Sequence, residues 1–73
     1  MTAMIVQVAN ERSLRDLVSF LEAGALAVRR RAPYSVDVEV PRAANTTEAK
    51  RELAIYLATW RAMHPGIRVD MTP

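Results

Sequence analysis

The topology open to this chain turns on Gly24. Upstream of it Leu14, Leu17, Val18 and Leu21 recur at helical spacing, with Phe20 at the edge of the stripe. Arg12, Arg15, Asp16, Ser19 and Glu22 fall largely on the opposite side. Asn10 stands in an N-cap position, and Glu11 in the first turn suits the helix dipole. If the helix runs on through Gly24 to Arg31, it carries an interior glycine at a cost of about 1 kcal/mol, and Leu26 points away from the apolar stripe. If it stops at Gly24, as a glycine just past a C-terminus would have it, residues 25–31 become a strand. Leu26 and Val28 then share one face, and Ala27, Arg29 and Arg31 the other.

The segment that follows favours the break. Residues 35–41 read Ser-Val-Asp-Val-Glu-Val-Pro and alternate strictly. Folding the two segments into a hairpin through Ala32, Pro33 and Tyr34 sets Val28 opposite Val38, Leu26 opposite Val40 and Arg29 opposite Asp37. A cross-strand pair of opposite charge contributes roughly 0.2–1 kcal/mol. One register therefore satisfies both faces. Residues 3–8 form a first strand, with Met4, Val6 and Val8 on one side and Ile5 and Gln7 on the other. A second helix begins where Asn45 and Glu48 resemble a capping box. Its buried stripe is expected to be Ala49, Leu53, Tyr56, Leu57, Trp60 and Met63, and Pro65 with Gly66 stops it. Residues 67–71 alternate again, with Ile67, Val69 and Met71 inward. The order β-α-β-β-α-β predicts an α+β, ferredoxin-like two-layer sandwich: four antiparallel strands with both helices on one face. The alternative, with Gly24 inside a longer helix, is a three-stranded βαβαβ sheet.

Size and composition bound the function. Residues 1–73 make one small domain, and a core of this size rarely supplies more than roughly 3–5 kcal/mol. With no cysteine in the chain, disulfides, thiol nucleophiles and Cys-based zinc sites are excluded. Hydrophobic residues are 51% and charged ones 25%, a globular balance, and the formal net charge of +2 is a weak hint of nucleic-acid binding. The start has no basic stretch before the short apolar run at residues 4–8, and no segment approaches the roughly 18 apolar residues of a membrane span. A soluble, cytoplasmic protein without membrane association is the expectation.

Chemistry-bearing residues are few. By parity the helix-free face of the sheet shows Ile5, Gln7, Ala27, Arg29, Arg31, Asp37, Glu39, Arg68 and Asp70. It offers none of the aromatic residues on which RNA-recognition motifs of this topology stack bases. Arg29, Arg30 and Arg31 are the one local charge cluster. Arg29 and Arg31 are expected to pair with Asp37 and Glu39, leaving Arg30 in water. Arg12 and Arg15, near the start of the first helix, are candidates with Arg29, Arg30 and Arg31 for contact with a phosphate or nucleic acid. His64, the single histidine, falls at a helix C-terminus, where its ring can cap a carbonyl. No catalytic set, metal site, glycine-rich phosphate loop or cofactor motif is read from the chain. On the second helix Ile55, Ala58, Thr59 and Ala62 line the side away from the core, and an apolar stripe there suits an interface.

In the order of its elements the chain is similar to small-molecule-sensing ACT domains, which associate through sheet edges or faces. Val8, Ala9, Asn10, Glu11 and Arg12 stand where those domains carry a glycine after the first strand. The resemblance thus implies a tendency to associate, and without that glycine it does not carry the family's ligand site over. The expected function is a non-enzymatic, homo-oligomeric interaction or regulatory module, a homodimer using Ile55, Ala58, Thr59 and Ala62 or Arg29, Arg31, Asp37 and Glu39. The alternative is nucleic-acid or phosphate binding through the arginines.

Overall fold

The computed structural model describes residues 3–72 of the 73. Six elements follow in the order β1 (Ala3–Val8), α1 (Glu11–Ala23), β2 (Ala27–Ala32), β3 (Ser35–Glu39), α2 (Thr46–Met63) and β4 (Val69–Thr72). The strands form one sheet in the order β2-β3-β1-β4, every neighbouring pair antiparallel. This is the ferredoxin-like sandwich. The three-stranded alternative falls, because the chain does leave its first helix before residue 27.

The helix stops at Gly24 as expected, and β2 begins at Ala27 rather than at residue 25. Gly24 is the C-cap, in an ordinary right-handed conformation (φ −85°, ψ 8°). The residue that turns left-handed is Ala25, at φ 66°. Ala25 N–H donates to the Glu22 carbonyl at 3.0 Å and Leu26 N–H to the Leu21 carbonyl at 3.2 Å. That pair of bonds is a Schellman motif, and both Leu21 and Leu26 are buried in the core. Gly24 is needed for space rather than for φ. A Cβ there would lie 2.5 Å from Cε1 of Tyr56. The Tyr56 hydroxyl crosses from α2 to donate to the Gly24 carbonyl at 3.3 Å.

The hairpin has the expected register, with Val28 opposite Val38 and Arg29 opposite Asp37. Its two-residue loop, Pro33 and Tyr34, cannot be one of the primed turns that match strand twist, because proline holds φ near about −65°. The mismatch is taken up by a shift in pairing: Arg30 lies opposite Val36 but Ala32 opposite Ser35, so Arg31 is an extra residue in β2.

Alternation sends Met4, Val6, Val8, Val36 and Val38 under the helices, where they pack with Leu14, Leu17, Leu21, Leu53, Leu57 and Trp60 in one core. Met63 is a correction. Placed in that stripe by its spacing, it is 55% exposed as the last residue of α2. β4 begins at Val69, two residues later than expected; Ile67 packs against the core from outside the strand. Asn10 and Asn45 cap the helices through their Oδ1 atoms, accepting from Ser13 N–H at 2.8 Å and Glu48 N–H at 2.9 Å.

Candidate functional site

The sheet carries the residues that parity assigned to its helix-free face, except Arg68, which lies just before β4. Ile5 lies half-buried at its centre beside Asp37, its β3 neighbour. Ala3, Ala27, Arg29, Asp37 and Glu39 help to line an open hollow of about 440 Å³ on this face. Two ion pairs form nearby: Arg31 with Asp37 at 3.2 Å and Arg68 with Asp70 at 3.2 Å. Both are solvent-exposed and contribute at most about 1 kcal/mol each. The pairing differs from the expected one. The Arg31 guanidinium takes Asp37, which is Arg29's cross-strand neighbour. Arg29 and Glu39 are left without ion-pair partners among the described residues.

The second candidate surface lies on the far side of the molecule. Ile55 is 63% exposed on α2, and Ala58, Thr59 and Ala62 are exposed beside it. The Thr59 hydroxyl donates back to the Ile55 carbonyl at 3.0 Å. Its polar group is thereby satisfied within the helix. A two-layer domain puts this stripe and the bare sheet face on opposite surfaces, so the eight interface candidates cannot belong to one contact.

The arginine cluster is likewise divided. Arg29 and Arg31 stand on the bare face. Arg30 points to the helix side, where it meets Glu11 at 3.3 Å and the Pro33 carbonyl at 3.2 Å, rather than standing free in water. β2 is an edge strand, and three consecutive charges with an irregular pairing discourage another strand from adding to it. Arg12 and Arg15 share a different hollow, of about 700 Å³, with Ser13, Asp16, Ser19 and His64.

That hollow holds a cluster that sequence reading missed. Asp16 Oδ2 accepts from Nε2 of His64 at 2.6 Å and from the Trp60 indole N–H at 3.1 Å. The Nδ1 of His64 meets the Trp60 carbonyl at 2.9 Å, which is the expected cap, and the His64 and Trp60 rings stack at 4.1 Å. Both ring nitrogens of His64 are thus engaged within the protein. One signal pointed here: a buried tryptophan needs an acceptor for its indole N–H, and Asp16 borders the stripe of α1. Among the described residues no group of three or more His, Asp or Glu is placed to hold a metal ion, and no helix is long and apolar enough to cross a membrane. No protein-family model, curated protein or solved structure matches the chain.

Proposed function

We propose that the chain is a non-enzymatic interaction module that forms a homodimer through the bare face of its sheet. The observation that carries this reading is the pair Arg29 and Glu39. Opposite charges on one face, both without an ion-pair partner among the described residues, become partners across a two-fold axis, Arg29 of each copy meeting Glu39 of the other. Ala3, Ile5 and Ala27 between them keep the face low enough for two sheets to approach.

Size sets the strength. Four strands at about 4.8 Å spacing and five residues at about 3.4 Å give a face of roughly 19 by 17 Å. This is below the roughly 800 Å² per partner of a stable specific interface, so a reversible dimer is expected rather than a permanent one. A second two-fold contact on α2 would string dimers into an open chain, so closure favours one face only.

Charge reversal tests the reading. Arg29→Glu and Glu39→Arg should each be monomeric by light scattering, while an equimolar mixture of the two forms a heterodimer and the double variant dimerises again. If the single variants associate like the wild type, the sheet face is not the interface. Ile55→Asp should leave the dimer intact; its loss would move the contact to α2.

A further inference from the structure

Arg12 and Arg15 lie one turn apart on α1, line one hollow, and have no carboxylate partner among the described residues. The carboxylate that would ordinarily neutralise them is present. Asp16 is four residues from Arg12, an ion-pair spacing on a helix, yet its Oδ2 is given to His64 and Trp60. The cluster at the end of α2 thus engages one oxygen of Asp16, which itself lines the hollow, and leaves two guanidinium groups beside two hydroxyls, Ser13 and Ser19, for which no hydrogen bond to the protein is seen among the described residues. Guanidinium forks and hydroxyls are the donors that a phosphate oxygen takes up.

The hollow continues into an apolar cleft. Arg15 and Ser19 also line a second space, of about 290 Å³, between α1 and β2, walled by Leu14, Val18, Val28 and Val36. Arg30 forms part of its rim and is held there by Glu11. An anionic head at Arg12 and Arg15 would therefore have its apolar substituent directed into a ready-made slot. We propose that this surface binds a phosphomonoester bearing a small apolar group. The site lies on the helix layer, away from the sheet face, and stands or falls independently of the dimer.

Phenyl phosphate is a suitable probe, with inorganic phosphate and phenol as its two halves. The indole N–H of Trp60, the single tryptophan, is bonded to Asp16 in the wall of the hollow and serves as the NMR reporter. Titration at fixed pH and ionic strength should move this resonance saturably. Phenyl phosphate should bind about tenfold or more tightly than inorganic phosphate, and phenol should produce no comparable shift. Arg12→Gln and Arg15→Gln should each weaken binding by about tenfold or more, the loss expected for one charge-assisted contact. Arg29→Gln, on the other side of the domain, should bind as the wild type does. The proposal is overturned by a reporter that does not move up to tens of millimolar, by unchanged affinity in Arg15→Gln, or by equal affinity for the two phosphates.

Discussion

Gly24 and Ala25 should respond to exchange in the opposite sense from what a glycine at a helix end suggests. In Gly24→Ala the new methyl meets the Tyr56 ring, with Cε1 at 2.5 Å, Cζ at 2.9 Å and the hydroxyl at 3.0 Å. Overpacking of this kind costs about 1–3 kcal/mol. Displacing the ring also threatens the hydrogen bond to the Gly24 carbonyl, worth about 1 kcal/mol. Against this, alanine restricts the unfolded chain and recovers about 0.4–1 kcal/mol at a φ it accepts. The net is a loss of about 1–3 kcal/mol. Ala25→Gly relieves a left-handed alanine, which carries about 1–2 kcal/mol, and returns about 0.4–1 kcal/mol of that to unfolded-chain entropy. The net is a gain of about 0–1.6 kcal/mol. Urea unfolding followed by Trp60 fluorescence measures both. Repeating Gly24→Ala in a Tyr56→Leu background isolates the ring, and there the substitution should be neutral or stabilising. Stabilisation by Gly24→Ala in the wild-type background, or destabilisation by Ala25→Gly, would refute the Schellman geometry and the role given to Tyr56.

Other consequences are open to simpler tests. Asp16→Ala leaves the indole N–H of a fully buried Trp60 without its acceptor and should cost about 1–3 kcal/mol; Asp16→Asn, which keeps an acceptor oxygen, should cost less in the same urea assay. Asn45→Ala removes the cap of α2 and should cost about 1 kcal/mol, a fall in Tm of about 4–8 °C for a domain of this size by calorimetry. Replacing Arg30 and Arg31 together by threonine strips charge from the β2 edge and should make the protein aggregate as concentration rises, visible as growing light scattering at constant far-UV CD.

How much of this was legible in the sequence depends on how local the cause was. The hairpin register could be read because two independent patterns, valines on one face and opposite charges on the other, agree only when Arg29 faces Asp37. The helix starts could be read because an asparagine side chain reaches no farther than the third residue on. The extra residue at Arg31 could not, since it follows from a mismatch between the Pro33–Tyr34 loop and strand twist and leaves no mark in the alternation. The contact of Trp60 with Asp16 joins residues 44 apart in sequence and depends on how the two helices lie on the sheet. Spacing along either helix is silent about that. The helix end at Gly24 is legible locally, whereas the ring that arrives there from α2 is not.

Dimerisation through the sheet face is tested most directly by the mass of the wild-type protein in solution across a dilution series, using light scattering on the intact chain. A reversible two-fold contact predicts a weight-average mass near twice 8.2 kDa at the highest concentrations, falling smoothly to the monomer value on dilution. A mass of 8.2 kDa at every concentration up to hundreds of micromolar would contradict it, as would growth past the dimer without a plateau.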